Sequence, residues 1–363
     1  MYCSDLGEQW HTARIEPSID HLDAASAGRA SRASIDAITG HLWREAERGA
    51  YVAAEEQAEM LVRGRRDLAA LIGHRPEELS FRDSARACLR ALLNNWNLPL
   101  AATVWVAVNE FGPNLDEFER RGIAVRTMPS ADRFGHVDVD ALENMLQFEQ
   151  PDFLHVCQIG SASGVVQPVA QIVEVAHHAG VSVVVDMAQA VGHIPTVTGA
   201  DIVYGTSRKW LTGPRGVGFL AVRSDALRPV QVESSEAYVA GSLGLGQAVA
   251  EVKEIGQQRV YRELARIGQI TRERLDGIGS WEVLEPIDEP SALVTLAPPP
   301  GWQASDVATA QVALRETGIL VTAAESWRAP LAGEQSLLRI SPHLDVRRSQ
   351  LDALASAIRT MGY

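Results

Sequence analysis

The sequence predicts an α/β protein, a large domain on a mostly parallel sheet followed by a smaller α+β domain, and two observations predict it. Between residues 103 and 222, apolar runs of strand length (TVWVAVN, VRTMP, DFLHVCQ, VSVVVD, DIVYGT, VGFLAV) alternate with amphipathic segments (NLDEFERRG, DALENMLQ, AQIVEVAHHAG). Nearly continuous apolar runs mark strands buried on both faces, and the helices between them are the crossovers that a parallel sheet needs. From about residue 248 the texture changes to a long charged helix ending near 275, then WEVLEP, LVTLAPPPG, a helix through Leu314, GILVT, LLRISPH and a final helix. That is the pattern of a second, smaller unit.

Ahead of the alternating region, residues 30–71 are helical in pattern, with charges three and four apart (Arg44, Glu45, Arg48; Glu55, Glu56, Glu59). Such spacing predicts long surface or interface helices. A turn at 73–76 leads to a short strand at Leu79, Ser80 and Phe81, then to a helix from near Ser84 to Trp96. A short helix is expected between VSVVVD and DIVYGT. The expected division is an N-terminal segment, 1–22, that joins the small domain, a large domain, 23–247, and a small domain, 248–363. Ligands of such sheets bind beyond the carboxyl ends of the strands.

The 363 residues are 46% apolar and 22% charged, enough for real cores. Apolar runs fall far short of the roughly 20 residues that span a bilayer. The first residues, MYCSDLGEQWHTARIEPSIDHLD, lack the basic and apolar regions of a secretory signal, so the expected location is the cytoplasm. Three cysteines, Cys3, Cys88 and Cys157, with no CxxC pair, suggest buried thiols rather than disulfides or a thiolate metal site. The ten histidines contain no HExxH, so no metal is expected. A net charge of -13 disfavours nucleic acid and anionic lipid and leaves a small molecule as the expected partner.

In YGTSRKWLTGPRGVGFLAV, residues 204–222, Lys209 stands between a strand end and a Gly-Pro turn, where its side chain can reach the cleft above the sheet. A loop lysine is ordinarily solvated. Asp186 ends the very apolar run VSVVVD, and a carboxylate there is costly unless it meets a cation or donors. It can cap the next helix. It can also face a protonated heterocyclic nitrogen, and an aspartate with a downstream lysine is what pyridoxal phosphate requires: one group keeps the ring charged, the other bonds the aldehyde. Gln189 can reach a ring hydroxyl from the same turn.

DMAQAVGH (186–193) and TSRKWLTGPRGVGFL (206–220) resemble the D-x-A-Q-x-x-G-H and S-x-H-K-x-x-G-P-x-G-x-G-x-L blocks of class V aminotransferase-like pyridoxal phosphate enzymes, the group that holds cysteine desulfurases and selenocysteine lyases. The resemblance runs from about His21 to the C-terminus. It implies the fold of type I pyridoxal phosphate enzymes, with a seven-stranded, mostly parallel sheet, and makes Lys209 the Schiff-base lysine. HLDAASAG (21–28) resembles the Y-L-D-N-A-A segment and puts Ala25 on the substrate side. FRDSARACL (81–89) matches the phosphate loop, so Ser84, Ala85 and Arg86 would meet the phosphate at a helix N-terminus, which suits an anion, with Arg86 adding a charged bond. NEFGPN (109–114) aligns with E-H-x-A-N, so Phe111 would stack on the ring where the family has histidine. Thr206 would bond the phosphate, and Arg208 replaces the usual histidine beside the lysine. AGSLG (240–244) is similar to the segment that reaches the neighbouring subunit's phosphate, which implies a homodimer with Ser242 as donor. Gln158 would bond the ring oxygen or the substrate carboxylate. Arg339, in LLRISPH, falls at the R-x-S position that binds the carboxylate of an amino-acid substrate, a task its rigid fork suits.

One departure bears on the chemistry. GILVTAAESWRAPL (318–331) aligns with G-I-x-V-R-x-G-x-x-C-A-x-P-L, and the nucleophilic cysteine of the desulfurases falls on Trp327. Without that thiol, elimination of a β-substituent that leaves by itself, such as a sulfoxide, is the expected chemistry. The short acidic N-terminus with W-H-x-x-R and the T-S-R-K variant resemble the carbon–sulfur lyases of ergothioneine biosynthesis, which implies hercynylcysteine sulfoxide, a cysteine conjugate of a trimethylated histidine, as substrate. Trp327, or Trp10 or Phe134, can offer its quaternary ammonium an aromatic wall. Other cysteine-conjugate lyases, a selenocysteine lyase and an isopenicillin N epimerase-like enzyme remain open, as does a cofactor-binding scaffold without turnover. A nicotinamide enzyme is disfavoured, because GPRGVG is not G-x-G-x-x-G and precedes a strand.

Overall fold

The structure is a computed structural model that describes residues 1–196, 199–223 and 237–361. Seven strands form its main sheet: β1 (Leu79–Arg82), β2 (Thr103–Val106), β3 (Ala124–Thr127), β4 (Phe153–Cys157), β5 (Ser182–Asp186), β6 (Ile202–Thr206) and β7 (Gly218–Val222). Their order is β1-β7-β6-β5-β4-β2-β3. Neighbours from β6 to β3 pair in parallel, and β7 alone runs antiparallel to both its partners. This is the mostly parallel sheet that the sequence predicts.

Alternate residues enter opposite layers, as the period of a strand dictates. Leu154, Val156, Val183, Val185 and Val203 join the larger core, while Phe153, Val184, Ile202, Tyr204 and Leu220 join a second one beneath the other face. With both faces covered, the strands end in a crevice at their carboxyl edge, where Cys157 pairs with Asp186 and Asp186 with Tyr204. Charged and polar side chains on adjacent strand ends are thereby brought side by side.

The helical stretch predicted for 30–71 is three helices, α1 (Arg32–Arg48), α2 (Ala50–Glu56) and α3 (Ala58–Leu71). Gly49 interrupts it with a φ of 83°, a conformation that suits glycine. Two helices then point their N-termini at the crevice: α4 (Ala85–Asn95), capped by the Ser84 hydroxyl, and α5 (Gly112–Arg120). The short helix expected after β5 is instead a run of turns, in which Val191 and Ile194 donate to the carbonyls of Met187 and Ala190. Gly192 stops propagation there: its φ is 78°, and a Cβ would lie 3.0 Å from the amide of Leu211. The turn thus seats directly against the segment that carries Lys209.

Beyond α6 (Val239–Ile255) and α7 (Gln257–Leu275), the strands β8 (Glu282–Val283), β9 (Val294–Ala297), β10 (Thr322–Ala324) and β11 (Leu337–Ile340) make a four-stranded antiparallel sheet. The first residues pack against this part of the chain: Cys3 donates to the Val346 carbonyl, Asp20–His21 pairs with Ile319–Leu320, and Trp10 stacks on His343 at 4.7 Å. All three cysteines are free and buried, as expected. Among the described residues no helix is long and apolar enough to cross a membrane, and no side-chain group could hold a metal ion.

The N-terminus of α5 meets the segment between β10 and β11 closely at Gly112. A Cβ on this residue would lie 2.0 Å from the Trp327 carbonyl oxygen, so backbone would have to move. Gly112→Ala should cost about 1–3 kcal/mol of stability, read as a lowered urea midpoint; an unchanged midpoint would mean that the contact is not close.

Candidate active site

The crevice holds a cavity of about 440 Å³. At its floor the Asp186 carboxylate, at the last position of β5, accepts hydrogen bonds from Asn114 Nδ2 at 3.1 Å and from the Ala188 amide at 2.8 Å. The second bond closes a turn two residues on, where the expected helix and its cap do not form; the first comes from α5. Beneath it runs a fully buried chain: Glu110 Oε2 meets His155 Nδ1 at 2.8 Å, and His155 Nε2 meets the Tyr204 hydroxyl at 2.9 Å. Glu110 Oε1 accepts from Asn114 at 2.8 Å and from the Cys157 thiol at 3.1 Å. Burial alone would raise the Glu110 carboxyl, but His155 and these donors outweigh it and hold it below its usual range. Asn114, bonded to both carboxylates, fixes their separation.

Lys209 follows β6 in a turn tied by the Gly28 amide on the Arg208 carbonyl, 2.8 Å, and the Thr212 amide on its own carbonyl, 2.9 Å. Its side chain lines the cavity. Burial pushes the amine down to about 7, helped by Arg208, Arg339 and Arg328, while Asp186 opposes the shift. The result is an amine poised to bond an aldehyde or to take a proton.

At one end Ser84, Ala85 and Thr206 line the cavity together with Arg208 and Arg215. Ser84 Oγ accepts from the Ala87 amide at 3.1 Å, so the first turn of α4 opens on this end. Arg86 is on the wall, but its guanidinium turns to Glu117 at 2.6 Å and Asp116 at 3.3 Å. Glu117 also takes Arg90 and Arg120, and these bonds, Arg90's the strongest, hold its carboxyl at about 2 against burial. The guanidinium of Arg86 is therefore bonded elsewhere, and Arg215, in the turn before β7, lines this cavity as a cation that sequence reasoning did not single out. Its signal was present in GPRG, between the lysine and the strand.

The opposite wall carries Phe111 and Trp327, ring centres 6.0 Å apart and inclined by 52°, with the Arg328 guanidinium 4.7 Å above the Trp327 ring. Arg339 is wholly buried behind Ser26 and Ser161, which line the cavity: Nη2 donates to Ser26 Oγ at 2.6 Å and to Asp23 Oδ1 at 3.4 Å, Nη1 to the Ser161 carbonyl at 2.7 Å. Arg328 Nη1 reaches Ser161 Oγ at 3.3 Å. The Nε atoms of both arginines are buried without a partner among the described residues. Ala25 and Gln189 line the cavity as expected, and Gln189 donates to the Ala25 carbonyl at 3.1 Å while accepting from Trp210 at 2.9 Å.

Three expected residues are not in the cavity lining: Arg339, behind Ser26 and Ser161, and Gln158 and Ser242. Cys157 faces the cavity, so the next side chain, Gln158, points away, and it donates to the Pro195 carbonyl at 3.0 Å. Ser242, on α6, bonds the Tyr238 carbonyl and lines a separate hollow beside Gly64 and Phe81. Asn114 and Arg328, which sequence reasoning did not single out, are in the cavity. Asn114 closes the aligned segment NEFGPN, where it could have been found; nothing in the sequence marks Arg328 beyond its place after Trp327.

A buried carboxylate, a flat aromatic, an amine of lowered pKa, and hydroxyl and arginine groups at a helix N-terminus line one cavity and form a donor set that fits pyridoxal phosphate. Asp186 would face the ring nitrogen, Lys209 the aldehyde, and Ser84, Ala85, Thr206 and Arg215 the phosphate. The fold and the cavity thus define a type I pyridoxal phosphate enzyme. The chain belongs to the class V aminotransferases: the family Aminotransferase class-V matches residues 21–235. It is 37% identical, over 97% of its length and 93% of the relative's, to a probable hercynylcysteine sulfoxide lyase of Mycobacterium tuberculosis. Its fold is that of the apo cysteine desulfurase from Thermococcus onnurineus (TM-score 0.84, 18% identity, 98% and 97% of the two chains). It is also that of C-DES with glycine covalently linked to its pyridoxal phosphate cofactor (TM-score 0.82, 17% identity, 94% and 96%).

The sign of the Asp186 effect on Lys209 is testable without cofactor. In the apo protein, acylation of Lys209 by an amine reagent, followed by mass spectrometry, should rise with pH around a midpoint near 7. Because Asp186 raises that midpoint, Asp186→Asn should lower it. A midpoint that stays or rises would refute the coupling.

Proposed function

We propose that the protein is a carbon–sulfur lyase that cleaves a cysteine S-conjugate sulfoxide by β-elimination, with hercynylcysteine sulfoxide as its substrate. The sulfur leaves as a sulfenic acid, and the three-carbon remainder takes up water to give pyruvate and ammonia. One observation carries this reading: the cavity offers no thiolate to accept sulfur. Trp327 and Arg328 stand on the loop that faces Lys209. The cysteine that does line the cavity, Cys157, is held as a thiol far above its usual range by burial first, then by Glu110 and Asp186. A leaving group that departs unaided suits such a site; transfer of sulfur to the enzyme does not. The identity with the mycobacterial relative supports the choice of substrate.

Each residue then has a task. Arg328, on the cavity wall, holds the amino-acid carboxylate, with Arg339 buried behind Ser26 and Ser161 adding its charge. Pyridoxal phosphate supplies the electron sink that makes the Cα proton acidic. Lys209, near neutrality in its free amine, takes that proton. Asp186, fixed by Asn114 and the Ala188 amide, would face the ring nitrogen when the cofactor is bound. A scaffold without turnover would have little use for all of these together.

The working form is proposed to be a homodimer. Trp43, Tyr51 and Val62, on the helices α1 to α3, are 76%, 85% and 65% exposed, and such an apolar face favours a partner. Ser242, outside the cavity of its own chain, borders the hollow next to these helices, which agrees with a contact to the other subunit's phosphate.

Holoenzyme incubated with hercynylcysteine sulfoxide should release one pyruvate per substrate, sediment at twice the chain mass, and release no sulfide from cysteine. Lys209→Ala should reduce turnover by about 10²–10⁴-fold or more. An epimerised product without pyruvate, or sulfide from free cysteine, would replace the proposal with an epimerase or a desulfurase.

A further inference from the structure

A second cavity, about 200 Å³, adjoins the first. Three segments contribute to both: Asn109 lines this one and Phe111 the first, Ala162 this one and Ser161 the first, Ser326 this one and Trp327 the first. The two linings thus run side by side along three stretches of chain. Asn109 is 3% exposed, yet neither Oδ1 nor Nδ2 has a hydrogen-bond partner among the described residues. A buried primary amide with both atoms unpaired costs free energy unless something supplies the missing bonds.

The rest of the lining narrows what that is. Arg133 and Phe134 stand on one side and the exposed carboxylate of Glu325 on another. A cation already sits on the Phe134 ring, the Arg133 guanidinium at 4.8 Å, and the ring has a second face. The Phe134 loop is fixed before any ligand binds. Asp132 Oδ1 accepts from the amides of Phe134, Gly135 and His136 at 2.9, 3.0 and 3.3 Å, and Gln167 bridges the Gly135 carbonyl and the Val137 amide at 2.8 and 2.9 Å. A fixed aromatic costs little to use.

We infer that this cavity is the subsite for the distal half of the substrate, an aromatic amino-acid betaine. The inference rests on the proposed lyase reading. The Asn109 amide presents one acceptor and one pair of donors, the complement of a neutral imidazole with its single N–H and single bare nitrogen. Phe134 and Glu325 take the trimethylammonium, by cation–π attraction and charge. Arg133 takes the betaine carboxylate. The sulfur is left at the shared wall, between Lys209 and the second cavity.

The experiment uses holoenzyme, Glu325→Gln and Arg133→Gln, both at exposed positions, with three probes: hercynylcysteine sulfoxide, S-methylcysteine sulfoxide and free trimethylhistidine. Each variant should raise KM for the hercynyl conjugate about tenfold, the effect of about 1.4 kcal/mol, with kcat within about twofold. The S-methyl sulfoxide, which has no betaine, should show no such rise. Trimethylhistidine should bind the unmodified enzyme calorimetrically and bind Glu325→Gln about tenfold less tightly. If elimination proceeds but both variants keep the original KM for the hercynyl conjugate, the subsite is wrong and the reaction stands. If trimethylhistidine binds in a Glu325-dependent way while no sulfoxide is cleaved, the reaction is wrong and the subsite stands. Absence of trimethylhistidine binding together with unchanged KM values overturns the subsite.

Discussion

A carboxylate and an amine held opposite each other at the ends of adjacent strands set the terms for everything else in this molecule. Asp186 and Lys209 belong to β5 and to the turn after β6, and the parallel pairing of those strands leaves both at the same edge. Removing two such groups from water is expensive. The expense is met locally: Asn114 and the Ala188 amide bond the carboxylate, and the amine is shifted toward its neutral form. The turns after β5, stopped at Gly192, and the Gly28 contact bring the lysine segment close enough for the pair to share one cavity. The glycines are thus part of the chemistry, since they permit the approach.

Around this pair the charges are unequal. Burial first, and then Arg208, Arg339 and Arg328, depress the amine, and these arginines with Arg215 give an acidic protein a cationic crevice. That inversion favours anionic ligands, as the proposed phosphate and carboxylate groups are. The buried Glu110–His155–Tyr204 chain works in the opposite sense beneath the floor. It holds the Glu110 carboxyl below its usual range next to Cys157, and burial first, then Glu110 and Asp186, push that thiol far above its own. The same stroke that supports Asp186 through Asn114 thereby narrows the reactions open to the site.

Much of this was legible in the sequence because it depends on local order. Strand and helix alternate in 103–222 with clear periods, so the parallel sheet and the position of its functional edge could be read directly. Asp186 is conspicuous as a charge ending an apolar run, and Lys209 sits in a glycine-punctuated turn. What could not be read depends on where a side chain turns. Gln158 follows a cavity-facing residue on a strand and therefore faces away, which a register of one residue decides. Arg86 occupies the expected place, but Glu117, thirty-one residues later, claims its guanidinium. Arg328 and Asn109 matter through unpaired atoms that only three dimensions expose. The helices at 30–71 were legible in kind but not in number, because a single glycine conformation breaks the first of them.

The account turns on whether the amine of Lys209 is the group that holds the cofactor aldehyde. Holoenzyme reduced with borohydride, digested and mapped by mass spectrometry gives the most direct answer. A phosphopyridoxyl group on the peptide that contains Lys209, lost when that residue is replaced by alanine, is the predicted result. The label on another lysine, or no covalent label on a protein that nonetheless turns over its substrate, would contradict it.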